Sequence, residues 1–271
     1  MRERGLWAGG ELMKLNPIWD LAFAASLLTI AYWYSHEVRK QRNISAIRQG
    51  LFYLAIALMA AILVGPVPHK AVNTFWVHMV QHILLMMLIS PLIVLGSPFK
   101  LLLGSHGMAG RVGSALARNP LIRLLFKAEV GFGVFLFVLI ATHFSPLANA
   151  GMKNPNIHCL ELILFLIGGV IYYYPVMEGN PHPYPVPYSQ RVLSLFAMML
   201  PETMTGFFLY SGNRVLHSLP QNTSMSMGLS DQHTGGAIMW AMGMLIDSMW
   251  IVLAAKDWFE NEKRLAEAED E

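Results

Sequence analysis

Residues 75–96 read FWVHMVQHILLMMLISPLIVLG, a run that contains no Asp, Glu, Lys or Arg. A helix of about 20 mainly apolar residues is long enough to cross a hydrocarbon layer of about 30 Å. The run therefore predicts a transmembrane helix. Other runs of the same character occur on both sides of it, so this stretch decides the fold class of the whole chain.

The run begins with two histidines, His78 and His82, which are four residues apart. On a helix this spacing puts both side chains on one face, about 6 Å apart along the axis. Two imidazoles arranged in this way can share a metal ion, and imidazole suits Zn, Cu, Fe and Ni. The alternative is that both are buried histidines hydrogen-bonded to neighbouring helices. Polar groups are costly inside a membrane and tend to mark function there, which keeps the metal hypothesis open.

The composition is that of an integral membrane protein. Of the 271 residues, 55% are hydrophobic and 13% are charged, and the mean hydropathy is +0.45. Soluble domains have about 25% charged residues. We therefore expect a multi-pass protein of the inner (plasma) membrane, with the lipid bilayer as a partner. The basic residues lie in short loops and form no basic patch with stacking aromatics, which argues against nucleic-acid binding.

The chain divides into seven apolar spans, so we predict an all-α, polytopic bundle of seven transmembrane helices forming a single domain over residues 1–271. Prolines separate most of the spans. The predicted spans cover residues 17–35, 49–65, 75–96, 129–147, 157–176, 191–210 and 235–255.

The distribution of lysine and arginine predicts the orientation. The basic residues concentrate after the first, third and seventh spans, and the alternate loops have almost none. By the positive-inside rule, the N-terminus then lies outside and the C-terminus, with the tail 256–271, lies in the cytoplasm. Residues 105–127 mix leucines with spaced basic residues and predict one or two amphipathic helices on the cytoplasmic surface.

With this orientation, most histidines collect near the outer face. His78 and His82 lie in the third span, His143 ends the fourth and His158 begins the fifth. Such a cluster predicts a metal site, because helix bundles build sites from facing helices. Residues at the same level that could orient these ligands or join them are Glu161, Cys159, Asp231, Gln232 and His233. His69, His217, Met225 and Met227 fall in the outer loops.

Several of these residues have simpler interpretations. The alternative for Glu161 is a buried acid hydrogen-bonded to backbone or hydroxyl groups, and that for Asp231 is a cap of the helix that follows it. The alternative for His217 and His233 is a surface histidine. Cys159 is the only cysteine, so the chain has no intramolecular disulfide. Glu202 and Asp247 lie deeper in the membrane, where they are either protonated or line a polar pathway.

Sequence motifs of common enzymes are missing. The chain has no phosphate-binding glycine loop, no GxSxG elbow, no HExxH signature and no run of cysteine ligands. We therefore predict a protein that is not an enzyme and is not driven by nucleotide hydrolysis.

Four blocks resemble a known family. They are HMVQHILLMMLISPLIVLGSP at 78–98, THFSPL at 142–147, IYYYPV at 171–176 and DQHTGGAIMW at 231–240. With the seven-span layout, these blocks are similar to the multi-span CtaG family of cytochrome c oxidase assembly proteins, over about residues 19–250. The resemblance implies a role in maturing a haem–copper oxidase, with copper handled on the outer face and an oxidase subunit as partner. The residues that match by position are His78, His82, His143, His158, Asp231 and Gln232.

The leading hypothesis is a copper-binding assembly factor, a chaperone of the respiratory chain in which His78, His82, His143 and His158 hold copper. A second hypothesis is a haem-binding membrane protein that transfers electrons, with histidines as axial ligands. A third is a permease for copper or a small solute, in which Glu202 and Asp247 continue a path inward. A scaffold without bound metal remains a fourth.

Overall fold

The computed structural model describes residues 17–177, 179, 181, 183–217 and 223–269, and every regular element within these ranges is a helix. The all-α class is confirmed. The helices, in chain order, are α1 (Pro17–Gln41), α2 (Ala46–Leu63), α3 (Pro66–Ala71), α4 (Phe75–Leu95), α5 (Pro98–Gly104), α6 (Gly107–Arg118), α7 (Pro120–Leu125), α8 (Ala128–Phe144), α9 (Pro146–Gly151), α10 (Pro155–Val176), α11 (Tyr188–Ser211) and α12 (Met225–Glu269).

Each predicted span falls on one of the seven long helices. Within the described ranges, five of them, α2, α4, α10, α11 and α12, are long and apolar enough to cross a membrane. Helix α8 is apolar but has 17 residues, whereas α1 is long enough, with 25 residues, but is not as apolar as the other five. The protein therefore has several membrane-spanning helices, whereas the count of seven and the orientation stay predictions.

Two helices differ in extent from the predicted spans, whose membrane boundaries stay predictions. The seventh span was expected at 235–255, but α12 runs from Met225 to Glu269. Its charged end continues the helix because Lys256 and Lys263 pair with glutamates four residues later. This helix includes most of the predicted tail, whose last two residues lie outside the described ranges. The fourth span was expected to reach 147, but α8 ends at Phe144, because the residue before Pro146 is disfavoured in helical conformation.

Residues 105–127 contain the two predicted helices, α6 and α7. They lie near the end of the bundle at which α4 finishes. There the Arg48 guanidinium donates to the carbonyl of Leu95 (3.1 Å) and to Ser97 Oγ (2.6 Å), while Tyr34 Oη donates to the carbonyl of Gly96 (2.8 Å). A cation that binds the last carbonyls of a helix stabilises its C-terminus.

Helix α4 is the centre of the bundle and packs against α2, α10 and α12. Its middle, Leu84–Ile89, is a π-helical segment that precedes Pro91. Proline has no N–H to donate to the carbonyls one turn earlier. One of those, the carbonyl of Met87, instead accepts from Trp250 Nε1 of α12 at 2.8 Å. This bond fixes α12 against α4 at a defined height.

Helices α11 and α12 form the most extensive helix pair, and glycines allow their close approach. A Cβ atom at Gly206 would lie 2.8 Å from the backbone nitrogen of Trp240, and one at Gly236 would lie 2.8 Å from the carbonyl oxygen of Gly206. Small residues at such crossings let two backbones touch, as in other membrane helix pairs. The contact holds the start of α12 beside the end of α11.

Candidate metal site

Four buried imidazoles meet at the end of the bundle where α4, α10 and α12 begin and α8 finishes, here called the histidine end. His78 and His82 come from α4, His143 from the last turn of α8 and His158 from the first turn of α10. Their exposed fractions are 5%, 1%, 7% and 0%. The sequence prediction that these four residues lie together therefore agrees with the structure, while metal binding by them stays a prediction.

The first pair is His78 and His158. Their Nδ1 atoms lie 3.2 Å apart, so one ring donates a hydrogen bond to the other. The carboxylate of Glu161 lies one turn after His158, and one donor atom from each of the three residues lies within 4.8 Å of the others. Glu161 Oε1 and His158 Nε2 are buried and have no hydrogen-bond partner. This group has the residue types and the spacing of a three-ligand metal site.

The second pair is His82 and His143, whose ring centroids lie 4.7 Å apart. His143 Nδ1 donates to the carbonyl of Leu139 at 2.7 Å. In a neutral ring the other nitrogen, Nε2, then has a free lone pair. His143 Nε2 and both ring nitrogens of His82 are buried without a hydrogen-bond partner. These orphaned nitrogens are the donor atoms that a metal ion would use.

Phe165 of α10 lies beside both pairs and is fully buried. Its ring centroid is 6.0 Å from that of His78 and 4.5 Å from that of His82. Phe165 follows His158 by seven residues, which is two helical turns, so both side chains share one face of α10. That spacing is the signal that could have identified it from sequence.

A small cavity of about 10 Å³ opens next to the histidines, and its lining includes Phe75, His78, Met79, His143, Met152 and His217. This volume is about that of one water-sized body. A porphyrin is far larger than this cavity, so the cavity gives no support to the haem hypothesis, which stays a prediction.

His217 belongs to this site although it lies in the loop after α11. Its ring stacks on Phe75 with centroids 4.2 Å apart, and its buried Nδ1 has no hydrogen-bond partner. Burial lowers the pKa of His217, against an opposing effect of the nearby Asp231 carboxylate. The sequence placed this residue only in an outer loop. Met152 and Phe165 were not identified from the sequence at all.

Asp231 and Gln232 support the site from α12. The sequence suggested that Asp231 precedes its helix, but it lies inside α12. It caps α4 instead, because its two carboxylate oxygens accept from the backbone nitrogens of Phe75 (2.8 Å) and Trp76 (3.0 Å). Gln232 accepts from the nitrogen of Leu216 and donates to two carbonyls near the end of α11. Asp231 therefore fixes the position of His78 along the bundle axis, and Gln232 holds the loop that includes His217.

Other residues predicted near the site are placed elsewhere. His233 Nε2 donates to the carbonyl of Gly212 at 2.8 Å. Cys159 packs with Val72 in a separate small cluster, and His69 pairs with Asp20 at 2.8 Å. Met225 and Met227 are exposed. Within the described part of the chain, none of these side chains is hydrogen-bonded to or stacked on the four imidazoles.

Glu202 of α11 and Asp247 of α12 are both buried, and their carboxyl groups lie close enough to interact with each other. Tyr172 and Tyr173 lie near enough to interact with them electrostatically. Neither carboxyl group belongs to the donor group around His78. Their part in a polar pathway stays a prediction.

Comparison with known families gives the identity that the sequence blocks suggested. Residues 28–261 match the family described as cytochrome c oxidase caa3 assembly factor (Caa3_CtaG). This chain belongs to that family. The family's description names cytochrome c oxidase assembly factors, and the apolar helices of this chain agree with a multi-pass membrane protein.

Relatives occur in mycobacteria. The uncharacterized proteins Mb0105 of Mycobacterium bovis and MT0111 of Mycobacterium tuberculosis are each 30% identical to this chain over 211 residues. The alignment covers 72% of this chain and 32% of each relative, so the chain spans about a third of their length. The uncharacterized protein ML1998 of Mycobacterium leprae shows the same identity and coverage. No solved structure matches the chain.

Proposed function

We propose that this Caa3_CtaG chain binds copper at the histidine end and delivers it to a subunit of a haem–copper oxidase during assembly, without catalysing a reaction. The observation that supports this most is the set of buried ring nitrogens without hydrogen-bond partners on His82, His143 and His158. Leaving a buried polar atom unsatisfied costs about 1–3 kcal/mol, and a bound ion would satisfy those of these nitrogens that carry a lone pair.

The choice of copper rests on the donor set and on the family. Imidazole binds several transition metals, whereas thioethers favour Cu(I). Met79 and Met152 line the cavity beside the imidazoles, so imidazole and thioether ligands are both present there. Copper is also the metal that a haem–copper oxidase must acquire, which fits an assembly factor for cytochrome c oxidase.

Delivery would proceed by ligand exchange from the histidine end. That end would face the extracytoplasmic side of the inner membrane, because the basic residues of the inter-helix loops gather at the opposite end. His217 lies in a loop and lines the same cavity as His78 and His143, so it would be a further ligand available during the exchange.

The test is Cu(I) binding by the purified protein under anaerobic conditions. We expect the wild type to bind copper, and the double variant His78→Ala with His82→Ala to lose it. His233→Ala is the matched control, because that histidine bonds to the carbonyl of Gly212 and lies outside the cluster. Unchanged copper stoichiometry in the double variant would contradict the proposal.

A second candidate function is a copper or small-solute permease. The observation in its favour is the buried pair Glu202 and Asp247, which places two neighbouring carboxyl groups between two membrane helices. Uptake into reconstituted vesicles that depends on Asp247 and is lost in Asp247→Asn would favour the permease. Copper binding without uptake would favour the assembly role.

A further inference from the structure

The donor atoms at the histidine end form two groups. His78, His158 and Glu161 bring one donor atom each within 4.8 Å of the others, and we call them the three-donor site. His82 and His143 face each other separately, and we call them the two-histidine site. His78 and His82 differ by about 6 Å in height along α4, which is three times the length of a typical metal–nitrogen bond of about 2 Å.

Phe165 lies beside both groups. Its buried ring has its centroid 6.0 Å from that of His78 and 4.5 Å from that of His82, so apolar carbon atoms adjoin both histidine pairs. Each group also has its own orphaned nitrogens: His158 Nε2 in the three-donor site, and His143 Nε2 with both His82 nitrogens in the other. Each group therefore has buried nitrogens of its own that lack a hydrogen-bond partner.

The two sites differ in charge. The three-donor site includes Glu161. When its carboxyl group is deprotonated, it offsets one positive charge of a bound ion. The two-histidine site consists of neutral rings, and no carboxylate of the described chain joins it. The cost of burying an ion rises with the square of its charge, so a divalent ion is far harder to bury there than a monovalent one.

We infer that the chain binds two metal ions at once: a monovalent copper ion between His82 and His143, and a second ion, monovalent or divalent, at His78, His158 and Glu161. This inference rests on the proposed function and deepens it. The two-histidine site is selective for Cu(I), because d¹⁰ Cu(I) accepts two nitrogen ligands and brings a single charge. The three-donor site also accepts Zn²⁺, for which two imidazoles and a carboxylate are ordinary ligands.

The experiment titrates the purified full chain with Cu(I), under anaerobic conditions and against a chromogenic chelator, and separately with Zn²⁺. We expect two Cu(I) ions but one Zn²⁺ ion per wild-type chain. His82→Ala should bind one Cu(I) and keep its Zn²⁺. His158→Ala should bind one Cu(I) and lose its Zn²⁺. The control His233→Ala should behave as the wild type does.

Folding of each variant is checked by its helical circular dichroism and its elution in size-exclusion chromatography. If His82→Ala fails this check, His143→Gln takes its place, because it removes the other ligand of the same site. X-ray absorption of Cu(I)-loaded His158→Ala gives a second readout, with a two-coordinate, nitrogen-only shell expected.

The possible outcomes separate the inference from the proposed function. One Cu(I) in the wild type, lost in both His82→Ala and His158→Ala, would mean a single shared site and would overturn the inference while copper binding stands. Two Zn²⁺ ions in the wild type, one of them lost in His82→Ala, would overturn the charge selectivity. No copper in the wild type would overturn the proposed function as well.

Discussion

At the scale of single residues, Asp231 joins α12 to the start of α4. Both of its carboxylate oxygens accept from the first backbone N–H groups of α4, a helix that lies 155 residues earlier in the chain. Helix N-termini leave such donors unpaired unless a side chain binds them, and a carboxylate there also interacts favourably with the helix dipole. The start of α4, and with it His78, is therefore fixed by α12.

We predict that Asp231→Ala lowers stability by about 1–2 kcal/mol, the usual cost of losing such a cap, and weakens copper binding because His78 loses its fixed height. Thermal unfolding in detergent and the Cu(I) titration measure the two effects. Thr234→Ala is the control, since Thr234 bonds only within its own helix, to the carbonyl of Ser230. An Asp231→Ala variant that unfolds at the wild-type temperature would refute this assignment.

The residue scale also shows how far sequence reasoning reaches. The spacing of His78 and His82 correctly indicated one helix face, because spacing within a helix depends on local geometry alone. It did not predict that His78 pairs with His158 and His82 with His143. Those pairings depend on the relative heights of three helices, which long-range contacts such as that of Asp231 determine.

At the scale of elements, the α11–α12 pair is the strongest constraint on the position of α12. Backbone touches backbone at Gly206 and Gly236, and neither main chain can move aside as a flexible side chain would. The sequence analysis located all seven long helices, since apolar composition over about 20 residues is a local property. Helix α12 extends beyond the predicted span at both ends, because polar and charged helix formers continue a helix past the apolar part that hydropathy detects.

We predict that Gly236→Ala destabilises the protein by about 1–3 kcal/mol, the cost of overpacking a tight contact. Gly133→Ala is a matched control in another membrane helix: no atom lies within 4 Å of its added Cβ, so the better helix propensity of alanine should leave stability unchanged or raised. The measurement is thermal unfolding of both variants in the same detergent. Equal unfolding temperatures for the two variants would mean that the α11–α12 contact is looser than described.

At the scale of the whole molecule, the two ends of the bundle differ in chemistry. The histidine end has the buried nitrogens, whereas the opposite end has Arg48, Lys100 and the basic helices α6 and α7. Basic loops stay in the cytoplasm during insertion, so this polarity predicts which end faces outward. The proposed delivery of copper needs the histidine end on the extracytoplasmic side, and the sequence alone predicts that arrangement from its charges.

We therefore predict the labelling pattern of cysteines introduced at the two ends. Cys159 is the only cysteine and is buried, so Cys159→Ala gives a background without thiols. In that background, Met225→Cys, at an exposed position of the histidine end, should react with a membrane-impermeant maleimide in intact cells. Arg118→Cys, in the last turn of α6, should react only after the membrane is permeabilised. The reverse pattern would put the imidazoles on the cytoplasmic side, and copper delivery would then have to start from there.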